Sequence, residues 1–249
     1  MSHATEAECS LAAIGPALRR FARARESISF LDFGCGAGEF SEQVFSSMQC
    51  PKRALSIALI EPAQPLRETA SARLARFSER PIVAASSLDD SLPAPFDLIL
   101  SNHALYYVED LDTTIHGLLA SMRPNGSMFV SIAGWDNALL QIWKSGFAQL
   151  NRPAPYYAAE NVAAVLGRRG IAYARERVAY ELRFSDSIEN RMKILRFLFA
   201  EHLAEMSIDA LLAEFDRYVA DRNVVMQPYN EHFAIGALGD DAPSHELDG

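Results

Sequence analysis

Cysteine is scarce: Cys9, Cys35 and Cys50 are the only three. They form no C-x-x-C pair and no zinc-finger spacing, which excludes a disulfide framework and a structural zinc site and fits a reducing compartment. No apolar run reaches the roughly eighteen residues of a membrane span, and the N-terminus lacks a basic stretch followed by an apolar one. A cytoplasmic protein without membrane partners is therefore expected. Positive charge is in deficit, with 23 Lys and Arg against 32 Asp and Glu and a net charge of −9. Affinity for a polyanion rests on clustered cations, so nucleic acid is not an expected partner. The close group Arg19, Arg20, Arg23 and Arg25 reads as the wet face of an early helix. Repeats and low-complexity tracts are missing too. With 249 residues, 49% of them apolar, the chain can bury a core without covalent staples.

What is present is an alternation of short apolar runs and longer amphipathic segments. The runs ISFLDF (28 to 33), LSIALI (55 to 60), PIVAA (81 to 85), FDLILS (96 to 101) and SMFVSI (127 to 132) read as strands. Continuous apolar strands suit a parallel sheet covered on both faces. Helices are expected at 39 to 47, 65 to 78 and 111 to 122, the last closed by Pro124 and Gly126. This is βαβ repetition, and the fold class it implies is α/β, a doubly wound sheet. Beyond Trp135 the pattern turns helical, at 137 to 150, 158 to 167, 187 to 203 and 208 to 221, with strands at 171 to 178 and 232 to 238 completing the sheet edge. The helices between those two strands are candidates for a lid or an oligomer contact. The final residues, DDAPSHELDG, read as a loose tail from 239 onward.

The stretch LDFGCGAGEF, Leu31 to Phe40, carries the first chemical signal. A strand, a glycine turn and a helix start together aim backbone N–H groups at a ligand. Gly34, Gly36 and Gly38 give G-x-G-x-G behind Asp32 rather than G-x-G-x-x-G, and no Walker lysine follows, so nicotinamide and P-loop chemistry both lose ground. Glu61 ends the next strand in ALIEPAQ. A carboxylate there accepts hydrogen bonds from both ribose hydroxyls and repels a 2′-phosphate.

With these residues quoted, the chain resembles a class I S-adenosylmethionine-dependent methyltransferase over 28 to 132. LDFGCGAGEF is similar to that family's first motif and IEPA to its acidic second. The resemblance implies a mostly parallel seven-stranded Rossmann-like sheet with a helical insertion before the last strand. It also implies S-adenosylmethionine as cofactor, S-adenosylhomocysteine as product, and cofactor contacts at Asp32, Gly34, Cys35, Gly36, Gly38, Glu61, Ser87 in ASSLDD, and Asn102. In this sense 28 to 135 form a cofactor-binding core, 136 to 238 a substrate and lid region, and 1 to 25 a helical segment contributing to the substrate pocket, all within a single domain.

The fourth strand ends in SNHALYYVED, and strand ends of such sheets face the ligand crevice. His103 there is a candidate base. Three further stretches resemble the histamine N-methyltransferases: HATEAEC (3 to 9), LYYV (105 to 108) and GWDNALLQIW (134 to 143). That resemblance implies that Glu6 meets an acceptor amine, that Tyr106, Tyr107, Trp135 and Trp143 line the pocket, and that Asn230 adds a polar contact. Departures are a wider spacing of the two tryptophans than in that group and Leu66 where it has glutamine. The expected reaction is N-methylation of a small amine- or imidazole-like nitrogen, with Glu6 and His103 as catalytic groups. O-methylation of a small carboxylate or hydroxyl stays open, as does a cofactor-binding protein without catalysis. No carboxylate cluster for a metal is evident, and a monomer or homodimer is expected.

Overall fold

The computed structural model describes residues 3–88 and 92–238. In chain order the elements are β1 (His3–Ala4), α1 (Glu6–Arg23), β2 (Ile28–Phe33), α2 (Glu39–Met48), β3 (Leu55–Ile60), α3 (Gln64–Leu74), β4 (Val83–Ala85), β5 (Phe96–Asn102), α4 (Leu111–Ala120) and β6 (Met122–Ile132). There follow α5 (Ala138–Gln149), α6 (Ala159–Arg168), β7 (Tyr173–Ala179), β8 (Leu182–Ser185), α7 (Ile188–Phe199), α8 (Ile208–Ala213), β9 (Val219–Ala220), β10 (Asn223–Met226) and β11 (Tyr229–Gly236). The chain divides into two compact units. One holds the segment up to Ser10 with Ala133–Tyr156 and Arg177–Asn230; the other holds Leu11–Ile132, Tyr157–Glu176 and the segment from Glu231 onward.

The larger unit is built on the seven-stranded sheet, in the order β4-β3-β2-β5-β6-β11-β7. β2 runs parallel to β3 and β5, β3 to β4 and β5 to β6, while β11 is antiparallel to β6. Burial on both faces explains the unbroken apolar runs: Phe30, Leu31, Leu59 and Ile99 are wholly enclosed. One side is covered by Ile14, Leu18 and Phe21 of α1 and by Val44, Phe45 and Met48 of α2, which form one apolar cluster with Phe30, Ile57 and Leu98. The mostly parallel, doubly wound sheet is therefore as the sequence implied.

Two strand boundaries differ from expectation for local reasons. Pairing of β4 starts at Val83 opposite Ala58, because Pro81 has no N–H to offer a ladder. Pro124 and Gly126 do not stand ahead of β6 but inside it. Phe96 pairs with Met122 and Leu98 already with Ser127, so the residues between loop out as a bulge that absorbs the proline.

The insertion before β11 is the main correction. The expected helix over 208 to 221 stops at Ala213, and the segment continues through a 3₁₀ turn, Asp216–Tyr218, into β9. β8, β9 and β10 form a second sheet with the N-terminal β1, in the order β1-β8-β10-β9, all antiparallel. The insertion is thus helices plus a small sheet. α7 likewise ends at Phe199 and gives way to a 3₁₀ segment, Ala200–Glu205. The tail expected from 239 onward lies outside the described residues.

In this smaller unit α5 packs on α7 where Gly146 faces the ring of Phe199 so closely that a Cβ would overlap its edge. Gly146→Ala should therefore destabilise by up to about 2 kcal/mol, overpacking of about 1–3 kcal/mol outweighing the gain of about 1 kcal/mol in helix propensity. Urea denaturation is the measurement, and a stabilised variant would contradict the packing.

Candidate active site

The turn after β2 is held by its neighbours. Gly34 and Cys35 donate their N–H groups to Ile60 O at 2.8 and 3.1 Å, and Gly38 N–H donates to Cys35 O at 2.9 Å, starting α2. Gly34 has φ 74, and a side chain there would run into the Ala104 methyl. At Gly36 no atom stands within 4 Å of where a Cβ would be, so bare backbone faces open space. Glu61, just past β3, reaches this turn. Its Oε2 accepts the Gly36 N–H at 3.0 Å and its Oε1 the Ala63 N–H at 2.9 Å. Arg67 Nη1 donates to the Glu61 carbonyl.

Asp32 lies in β2, 3% exposed, with Ser41 Oγ donating to its Oδ2 at 2.5 Å. Burial pushes its carboxyl up to about 7, opposed by the Ser41 bond and reinforced by the nearby Glu61 charge. The Cys35 thiol is pushed well above its usual range by burial first, then by Asp32 and Glu61. It is a protonated thiol at neutral pH, not a nucleophile. The site therefore offers two carboxyl groups beside the bare backbone of Gly36, which fits a ligand bearing positive charge and a vicinal diol. Ser87 is exposed in the bend that follows β4, while Asp89 and Asp90 of the same stretch lie outside the described residues.

At the end of β5, Asn102 keeps its Oδ1 buried without a hydrogen-bond partner among the described residues. A bound donor would satisfy it. His103 sits at φ 55, held there by its N–H on Ser131 O at 2.9 Å. Its ring stacks on Tyr106, 5.9 Å between centroids and 6° between planes, and its Nδ1 lies 3.1 Å from the Tyr106 hydroxyl. Tyr106 is 6% exposed and its carbonyl accepts from Tyr157 N–H, so it anchors His103. Tyr107 is 58% exposed and leans on Tyr106. Sequence reasoning missed the buried polar row here: register places Asn102 opposite Ser131 and Ser131 opposite His232, across β5, β6 and β11. Serines and a histidine within apolar strands were the available signal.

The remaining four candidate residues, Glu6, Asn230, Trp135 and Trp143, belong to the smaller unit. Glu6 Oε1 accepts from Ser10 Oγ and from Asn230 Nδ2, both at 3.0 Å. Trp135 is half-buried, with Lys144 Nζ 5.5 Å from its ring centroid. Trp143 is corrected from pocket wall to packing residue: it is 3% exposed, stacks on Tyr156 at 4.4 Å and donates Nε1–H to Leu198 O at 2.5 Å. Tyr180, Asn137, Tyr229 and Arg177 also gather in this unit without any motif to announce them. Arg177 lies 3.8 Å over the Tyr229 ring, and Asn137 Nδ2 donates to Tyr229 O. No group of metal-ligating side chains occurs among the described residues. None of their helices is long and apolar enough to cross a membrane.

Comparison with known proteins gives a consistent picture. The profile of the family described as a methyltransferase domain matches residues 4–175. The histamine N-methyltransferase of Mus musculus is 26% identical over 177 residues, covering 63% of this chain and 59% of the relative. That of Xenopus tropicalis is 24% identical over 174 residues, 62% of this chain and 57% of the relative. The chain thus spans less than two thirds of the curated relatives it matches. Among solved structures, YcgJ of Bacillus subtilis superposes with TM-score 0.57 at 12% identity, covering 89% of this chain and 98% of that one. Haemonchus contortus phosphoethanolamine N-methyltransferase 2, complexed with phosphomonomethylethanolamine and S-adenosylhomocysteine, does so with TM-score 0.54 at 17% identity, covering 91% of this chain and 52% of that one. At such identities the structures speak for the fold.

The buried Asp32 has a stability consequence with a definite sign. A carboxyl raised from 3.8 to about 7 binds more protons folded than unfolded, so its contribution falls as pH rises between those values. Relative to Asp32→Asn, the protein should lose about 1.4 kcal/mol per pH unit across that window. Urea melts of both proteins at pH 5 and pH 7 test this, and a constant difference between them would refute it.

Proposed function

The chain belongs to the methyltransferase domain family, and from that premise we propose that it transfers the methyl group of S-adenosylmethionine to an amine- or imidazole-like nitrogen of a small molecule. The donor set around the glycine turn supports the cofactor. The bare backbone at Gly36 leaves room for it, Glu61 suits its ribose hydroxyls, and the two acids its positive charge. When bound, the cofactor supplies an already activated methyl group on a sulfonium. The protein's work is then to place the acceptor, exclude water and handle one proton.

One observation carries the choice of nitrogen. Glu6 and Asn230 stand at opposite ends of the chain, each was assigned to the acceptor by resemblance to histamine N-methyltransferases, and they meet at 3.0 Å. A carboxylate steadied by two donors is a seat for an ammonium or imidazolium group. His103, oriented by Tyr106, is the group that takes the proton the nitrogen sheds. On this reading 28 to 135 serve the cofactor, and 1 to 25 together with 136 to 238 the acceptor.

A screen of small amines, hydroxy compounds and carboxylic acids with labelled S-adenosylmethionine should find an amine methylated. Glu6→Gln should then lower kcat/KM by about 10- to 100-fold, the loss of a charged hydrogen bond, while S-adenosylhomocysteine still binds. His103→Ala should lower kcat by about 100-fold or more. Full activity in both variants removes the acceptor reading, and absent cofactor binding removes the whole.

A further inference from the structure

The end of the large sheet remote from the glycine turn holds a cavity that the methyl transfer does not use. β2 and β3 begin there, with Ile28 opposite Leu55, and the glycine turn leaves β2 at its other end, about 17 Å along the strand. The cavity measures about 470 Å³, within the range of small-molecule sites. Ala22, Ile28 and Ala54, each at most 8% exposed, give it an apolar floor, and Arg25, Glu26, Cys50 and Arg53 supply its polar lining.

Arg25 is positioned by the protein itself. Its Nη1 donates to Phe21 O at 3.1 Å, its Nη2 donates to Asn125 O at 2.8 Å, and its Cζ stands 3.5 Å from the Phe21 ring centroid. Two carbonyls engage two of the five N–H groups of a guanidinium, which leaves three for another acceptor. Arg53 comes to the same cavity from the 3₁₀ turn Lys52–Ala54, exposed and without a side-chain partner among the described residues. Other arginines of this unit find carboxylates: Arg73 and Arg76 pair with Glu42, Arg123 with Asp97 and Arg169 with Asp112. In a chain of net charge −9, two guanidinium groups that line one cavity and pair with no carboxylate among the described residues are a departure that calls for a reason. Glu26 on the lining offsets one of the two charges and leaves an excess of the other. Capping the last turn of α1 through Phe21 O accounts for Arg25, but neither for Arg53 nor for the cavity that both line.

We propose that this cavity is a second binding site, for a small organic anion whose oxyanion group, a carboxylate or a phosphate, is gripped by Arg25 and Arg53. A planar fork held in place loses little freedom on taking two oxygens of one such group. The carbon part of the ligand then rests on the floor made by Ile28 and Ala54.

Cys50 is the reporter for the test, because its thiol lines the same cavity and burial raises it above its usual range, which makes alkylation slow enough to time. The full chain is treated with N-ethylmaleimide at pH 8.5, and the labelled Cys50 peptide is followed by mass spectrometry with Cys9 as internal reference. Inorganic phosphate and succinate are the probes, each against sodium chloride of equal ionic strength. At least one should slow the labelling of Cys50 severalfold and leave Cys9 unchanged, and which of them does so tells a phosphate ligand from a carboxylate. Arg53→Met should raise the concentration for half-protection about tenfold, the loss of one charged hydrogen bond, with circular dichroism and S-adenosylhomocysteine binding unchanged. Labelling of Cys50 that responds to neither anion, or protection that persists undiminished in Arg53→Met, overturns the proposal. Neither readout involves methyl transfer, so the result stands apart from the fate of the amine reading.

Discussion

The parallel pairing of β2 with β3 is the constraint on which the rest of the molecule's chemistry depends. Ile28 stands opposite Leu55 and Phe33 opposite Ile60, so both strands end at the same level. The turn that leaves β2 then hangs from the last carbonyl of β3 through Gly34 and Cys35. The same register sets Glu61 where its carboxylate can take the Gly36 N–H. A slip of one residue would turn Asp32 to the other face and carry Glu61 away from the turn.

That geometry concentrates negative charge where the backbone is barest. Asp32 is 3% exposed, and the Ser41 bond offsets only part of its desolvation. Natural cores tolerate such a group when something else gains by it. Under the proposed function the gain is selectivity for a ligand that brings positive charge to two carboxyls. His103 shows the same economy on β5: a non-glycine residue at positive φ, stabilised by its bond to Ser131 and by the Tyr106 ring.

The smaller unit solves a different problem. Glu6 begins α1 and Asn230 lies in β11, and nothing local relates them. The β1–β8 pairing, with His3 opposite Arg183, anchors the N-terminal segment from which the Glu6 carboxylate meets Asn230. A short strand of two residues thus decides the surroundings of the group to which the amine reading gives most weight.

The sequence by itself determined the doubly wound sheet, the boundaries of β2 and β3 to the residue, and the glycine turn with its acid. These are local signals: unbroken apolar runs, glycines where no side chain fits, a charge at a strand end. It did not determine the small sheet, the polar row through Asn102, Ser131 and His232, the packing role of Trp143, or the meeting of Ser10 and Asn230 on Glu6. β1, β8, β9 and β10 are two to four residues long and carry no readable period. Hydrogen-bond partners far apart in the chain leave no mark on their neighbours in sequence. Only the closing of the fold, which buries polar groups unless they find each other, brought them together.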